Sequence, residues 1–283
     1  MSSPVRIATP HRLPSARLPA PDRASQRTAS RVLCAAGLGF CATLMATMAT
    51  TAVAGDTHAP GRSLYLAPHA EQAPRIDGSA DDTAWSETPW QPIDQLWLGP
   101  EYSTADFEGR FKVVWDEDRL YLLAEITDDI LIDSHRDPLT QYWDDDCLEI
   151  FIDEDHSGGD HQFNHNAFAY HMALDNQAID IGTDHEARSY SQHVQSRWRA
   201  DGNRLVWELA IDIYDENYSA SVPGATPLTL EAGKTMGLMV AYCDNDGSDL
   251  RENFIGSERV ETGAKDRGWM DAGIFGTLTL VHK

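Results

Sequence analysis

"SQHVQSRWRADGNRLVWELAIDI", residues 191–213, decides the fold. Two alternating runs flank Asp201-Gly202-Asn203, a turn signal, so the stretch reads as an antiparallel hairpin. Trp198 and Trp207 fit the alternation and are expected in a core. Working outward, "GRFKVVWDEDRLYLLAEITD" (109–128) repeats the pattern: Phe111, Val113 and Trp115, a turn at Asp116–Asp118, then Leu120, Leu122 and Ala124. In "QYWDDDCLEIFIDEDHSGG" (141–159), Leu148, Ile150 and Ile152 alternate with Cys147, Glu149 and Phe151, the period of a half-buried strand. "HQFNHNAFAYHMALD" (161–175) and "NQAIDIG" (176–182) form another hairpin, turned near Asp175-Asn176, and "TMGLMVAYCDND" and "FGTLTLVHK" supply later strands. Helical periodicity is scarce; "SADDTAW" makes one short turn. Many short strands with frequent turns predict an all-β protein, an antiparallel, jelly-roll-like β-sandwich in a single domain. Sheet-end loops and any uncovered sheet face are then where a ligand binds.

The chain begins differently. Residues 1–31 hold six arginines and one acid, Asp22, and Val32–Ala54 carries no charge and ends in Ala52-Val53-Ala54. A basic segment, an apolar segment and an A-x-A end read as an export signal over 1–54, placing the rest in the periplasm or outside the cell. Leu33 and Phe40 stand where lipid attachment at Cys34 or Cys41 needs a small residue. A lead-in over 55–73 and a domain over 74–283 follow. The net charge of −23 becomes more negative once the arginine-rich segment leaves. Such a surface repels phosphate backbones and anionic lipid, which excludes nucleic acid and membrane insertion as partners. Two of the four cysteines leave with the signal. Cys147 and Cys243 remain, both in predicted strands, either as a disulfide or as two buried thiols.

Several chemistries are conceivable. Glycoside hydrolysis needs two acids about 5 to 9.5 Å apart, and Asp144, Asp145, Asp146 and Glu149 offer them. So acidic a chain makes such clusters without purpose, and neither G-x-S-x-G nor H-E-x-x-H occurs. His156, His161, His165 and His171 crowd the segment 156–171, a candidate for haem or a transition metal. On a strand, however, His161 and His165 stand about 13 Å apart. Calcium wants six to eight oxygens. "DEDHSGGD" offers Asp153, Asp155 and Asp160 as ligands, and "DNDGSD" offers Asp244, Asp246 and Asp249. Calcium is expected at the first loop.

Tryptophan is the stronger signal. All eight lie beyond residue 54. Trp143 and Trp269 break strand alternation and sit in polar stretches beside Asp or Gly. An exposed Trp is a flat apolar plate on which a sugar ring stacks, with carboxylates and amides taking the hydroxyls.

Four motifs in order now point to a family. "PRIDGSADDTAW", "VVWDEDRLYLLAEITDDIL", "YWDDDCLEIFID" and "GWMDAGIFGTLTL" resemble successive blocks of the family 9 carbohydrate-binding modules, from about Pro74 to Val281. The resemblance implies a calcium-containing β-sandwich without catalytic activity, clamping the end of a cello- or xylo-type oligosaccharide between two tryptophans. By position those are Trp143 and Trp269, with Glu149, Asn164, Asn166 and Asp266 as polar partners. Asn164 stands where sugar-binding members carry Arg, Asp266 where they carry Asn, and Cys243 replaces a polar residue. A haem- or metal-binding relative using segment 156–171 is the alternative.

Overall fold

The computed structural model describes residues 61–221, 224–261 and 263–282. The expected export signal, 1–54, and the start of the lead-in lie outside the described residues. Fourteen strands are present: β1 Leu64–Pro68, β2 Gln91–Ile93, β3 Gln95–Leu98, β4 Phe107–Trp115, β5 Leu120–Asp128, β6 Cys147–Asp153, β7 Phe168–Ala173, β8 Ala178–Ile181, β9 Ala187–Ser189, β10 Val194–Asp201, β11 Arg204–Ile211, β12 Thr235–Asp244, β13 Asn253–Gly256 and β14 Gly276–Val281. One sheet has nine strands, in the order β1-β14-β12-β6-β7-β8-β9, with β13 joining β12 to β3. The other has five, β10-β11-β5-β4-β2.

The hairpin that opens the sequence argument is β10–β11, paired Trp198 to Trp207. Asp201 pairs with Arg204 across a two-residue loop, and Gly202 takes the positive φ of 66° that the turn requires. Period two then sorts every side chain. Leu205, Trp207 and Leu209 of β11 and Leu122, Ala124 and Ile126 of β5 face Leu148, Ile150 and Ile152 of β6 and Leu238 and Val240 of β12 in one apolar layer. Trp115 and Trp207 are fully buried there, while Trp198 is partly buried.

Two features differ from the sequence reading. The sandwich is not wholly antiparallel, because β1 runs parallel to β14. That strand comes from the stretch read as a lead-in, so the sandwich starts before residue 74. Its five residues alternate between exposed and buried but are too short to announce themselves.

Each sheet also has an outer face, and the two are treated differently. On the five-stranded sheet, Val114, Tyr121, Leu123 and Ala210 are roofed by Ala84 and Trp85. This is where the Ile-Asp-Gly motif is used. Glu208, fully buried on β11, accepts from the backbone N–H groups of Asp77, Gly78 and Ser79 and from Trp85 Nε1. Gly78 has φ 80°, and a Cβ there would lie 2.9 Å from the Trp198 carbonyl carbon, so only glycine lets the turn approach the sheet. On the nine-stranded sheet, Phe151, Met239 and Ala241 are buried in a cluster with Ile274 and Phe275 that covers only part of the face. The remainder of that face lies open.

Candidate functional site

The open part is a cleft of about 600 Å³. Its floor is the outer face of β6, β7 and β12. Glu149 of β6 pairs across the sheet with His171 of β7 on one side and Ala241 of β12 on the other. The walls come from Tyr142 and Trp143 before β6, Leu250 and Arg251 before β13, and Lys265, Asp266 and Trp269 before β14.

Glu149 is buried and tightly held. Its Oε1 accepts from His171 Nε2 at 2.9 Å, Arg251 Nη1 at 3.2 Å and Cys243 Sγ at 2.9 Å. All three contacts fall on one oxygen, and Oε2 has no donor among the described residues. Burial pushes the carboxyl upward, but the His171 and Arg251 contacts outweigh it and hold Glu149 below its ordinary range. It is therefore an anion, positioned from one side and able to accept on the other. His171 is fixed in turn by Nδ1, 3.1 Å from the Ala169 carbonyl oxygen. Arg251 lies flat over Phe254, its guanidinium carbon 3.8 Å from the ring centroid.

The two expected plates are both on the cleft wall. Trp143 is 39% exposed and meets Tyr142 edge to face at 4.9 Å. Trp269 sits on a single helical turn, Arg267–Met270. Gly268 lets that turn lie directly on the sheet, since a Cβ would come 2.5 Å from Met239 Cε. His161 Nε2 donates to the Gly268 carbonyl oxygen at 2.7 Å, and Phe163 meets the Trp269 ring edge-on at 5.8 Å. The segment 156–171 thus props a tryptophan. Burial holds His161 and His165 below their ordinary range, and His165 Nδ1 is spent on the Tyr218 carbonyl oxygen.

Of the residues expected from sequence, Trp143, Glu149, Asp266 and Trp269 come together. Asn164 and Asn166 do not line the cleft. Asn164 donates to the Asp160 carbonyl oxygen, and Asn166 to that of Gly158, inside their own loop. Sequence reasoning missed Arg251 and Phe254, and it took His171 as a candidate haem or metal ligand and not as a partner of Glu149. His171 shares the alternation of β7; Arg251 sits in a polar loop with no periodic signal.

The acids divide their work. Asp144 accepts from Arg251 N, and Asp145 from Ser134 N and His135 N, so both order loops. Asp153 and Asp155 lie together, and the Asp160 carboxylate accepts from Gln162 N; these three are not among the acid groups of the described residues whose oxygens converge within 4.8 Å. A tighter set is elsewhere. Asp128, Asp146 and Asp244 place carboxylate oxygens within 4.8 Å of one another, all buried. Asp128 accepts from Tyr242 Oη and Ile130 N, and Asp146 from Ile132 N and Asn245 N. The Asp244 carboxylate, on a residue 3% exposed, has no hydrogen-bond donor among the described residues. Burial, with repulsion from Asp246 and Asp129, pushes Asp128 up to about 7, and burial, with repulsion from Asp128 and Asp246, pushes Asp244 up to about 8. Three buried carboxylates without a countercharge are a donor set of the hard-oxygen kind that calcium takes.

Fold and cleft together define a class: a β-sandwich presenting an aromatic-walled, carboxylate-floored cleft on one sheet face. The chain belongs to the carbohydrate family 9 binding domain-like family, whose model matches residues 76–283. These are non-catalytic carbohydrate-binding modules. Over 217 residues the chain is 25% identical to exoglucanase XynX of Acetivibrio thermocellus, covering 74% of this chain and 16% of that protein. Over 81 residues it is 36% identical to endo-1,4-beta-xylanase A of Thermotoga neapolitana, 29% of this chain and 7% of that one. It therefore spans only a small part of these curated relatives. A family 9 carbohydrate binding module from Caldicellulosiruptor kristjanssonii, solved in complex with glucose, superposes with a TM-score of 0.57 at 20% identity, over 78% of this chain and 97% of that one. Its cellotriose complex gives 0.55 at 20% identity, over 78% and 95%. The structures establish a shared fold.

Proposed function

We propose that the cleft clamps the end of a cello- or xylo-type oligosaccharide between Trp143 and Trp269. The observation that carries this is Glu149: a buried anion fixed through Oε1, with Oε2 left without a donor beside two tryptophans. Sugar hydroxyls donate to Oε2, Arg251 supplies the planar donor that Asn164 cannot, and the rings cover the apolar faces. The glucose- and cellotriose-bound relatives favour this ligand class. Titrating cellotriose and its borohydride-reduced alditol against intrinsic fluorescence tests it. Binding of the sugar, with the alditol at least tenfold weaker, is expected. Equal affinities would end the chain-end reading, and no binding of either would end the cleft reading.

The calcium implied by the family fits Asp128, Asp146 and Asp244 better than the loop Asp153, Asp155 and Asp160. A calcium ion there would offset two of the three carboxylate charges and tie the ends of β5 and β12 to the segment entering β6. Trp143 precedes that same segment, so the ion would hold one plate in place.

A further inference from the structure

Cys147 and Cys243 stand directly opposite each other on β6 and β12, on the face that carries Glu149. Both are buried beneath the cleft. Directly opposed residues of an antiparallel pair have Cα atoms about 4.5–5.5 Å apart, a span that a disulfide bridges without moving backbone. The two sulfurs and a Glu149 carboxylate oxygen lie within 4.8 Å of one another. Two thiols and a carboxylate would also suit a soft cation. But Arg251 Nη1 lies 2.9 Å from Cys243 Sγ and 3.2 Å from Glu149 Oε1, and a fixed guanidinium repels a cation there. The same contact favours a sulfur that carries negative charge in transit.

We propose that Cys147 and Cys243 are a dithiol that closes to a cross-strand disulfide, and that closure tightens the cleft's hold on sugar; the second half rests on the function proposed above. The chemistry balances with hydrogen peroxide, small enough to enter from the cleft. Cys243 Sγ–H already donates to Glu149 Oε1 at 2.9 Å, so Glu149 can relay the proton as the sulfur attacks, while Arg251 faces the sulfur. The sulfur attacks one peroxide oxygen, the O–O bond breaks, and the leaving hydroxide takes the proton from Glu149 as water. Cys147 sulfur then attacks the S–OH: the S–S bond forms, the S–O bond breaks, and hydroxide leaves with the Cys147 proton as a second water. Two electrons pass from the thiols to the peroxide. The disulfide no longer donates to Oε1. Glu149 then has acceptor capacity to spare for a sugar hydroxyl, and one hydrogen bond to a charged group is worth about tenfold in affinity.

The test uses the full chain, reduced or treated with hydrogen peroxide and quenched. Peptide mapping without reductant looks for the Cys147–Cys243 link, and cellotriose is titrated into both forms. A linked peptide, a roughly tenfold gain in affinity and reversal by reductant are expected. Cys147→Ser, with Cys147→Ala as a second variant, should keep the reduced affinity in both treatments. Unlinked or over-oxidised sulfurs after peroxide overturn the dithiol. A linked peptide with unchanged or weaker affinity overturns its coupling to the cleft. If neither form binds cellotriose, the sugar reading falls and the coupling with it, while the peptide map still decides the dithiol.

Discussion

The two outer sheet faces carry the same device in opposite states. Each has a buried glutamate on an inner strand with tryptophan nearby. On the five-stranded sheet, Glu208 is closed off by the chain itself: three backbone N–H groups and Trp85 Nε1 share its two oxygens. On the nine-stranded sheet, Glu149 receives all its donors on Oε1, and the tryptophans stand aside from it as walls. A satisfied carboxylate under a ring is structure; a half-satisfied one between rings is a binding site. Even the protonation energetics diverge. Burial raises Glu208, whereas at Glu149 burial is outweighed by the His171 and Arg251 contacts and the carboxyl falls.

The largest effects should fall on the closed face and core. Trp85→Ala and Trp207→Ala each remove a buried ring and should destabilise by about 3–5 kcal/mol. Trp143→Ala and Trp269→Ala should leave the melting midpoint nearly unchanged. Thermal melts of all four break the comparison if either wall tryptophan proves as costly as a core one.

Calcium comes next. A thousandfold excess over its Kd would stabilise the fold by about 4 kcal/mol. Asp128→Asn should abolish that gain, and Asp153→Asn should not. The pH dependence has a definite sign. With Asp128 raised to about 7 and Asp244 to about 8 in the folded protein, against about 4 unfolded, the folded state without calcium holds protons that the unfolded state releases. Its stability from these groups is full below pH ~4 and lost as pH rises through ~7–8. Calcium competes with those protons, so its stabilisation should grow from pH 5 to 8. Melting with chelator and with calcium at each pH cancels other groups, and a difference flat in pH would remove the ion from this triad.

On the open face, Glu149→Gln keeps the shape but removes the charge, and should weaken cellotriose binding about 10- to 100-fold. Calorimetric titration measures it; a change under threefold would mean that Oε2 does not grip the ligand. The smallest effects belong to Asn164→Ala and Asn166→Ala, at about twofold or less, because their bonds stay within their own loop. A tenfold loss at either in the same titration would bring that loop into the site.

Much of this was legible in sequence where period two speaks. The alternation of β6 put Glu149 on the face opposite Leu148 and Ile150, and Trp143 and Trp269 stood out by breaking such patterns. Arg251 was not legible, because only the closure of the fold brings it to a glutamate 102 residues away. Asp128 and Asp146 each read locally as loop acids, and nothing in a linear run of carboxylates tells which will be desolvated together. The glycine-rich acidic loop was the more conspicuous run, yet its Asp160 stays apart. Strands of three to five residues, such as β2, β3 and β13, carry too few alternations to register.

The parallel pairing of β1 with β14 has a mechanical consequence. Leu64 aligns with Thr277 and Pro68 with Val281, so the chain enters this pair at one end and leaves it at the other. Tension applied before β1 and after β14 would load their backbone hydrogen bonds in shear, all together, rather than peel them apart in turn. Single-molecule pulling along this axis should then meet a high rupture force, set by the unfolding barrier and not by equilibrium stability. Pulling from β9 at the opposite sheet edge should unzip the fold at a much lower one.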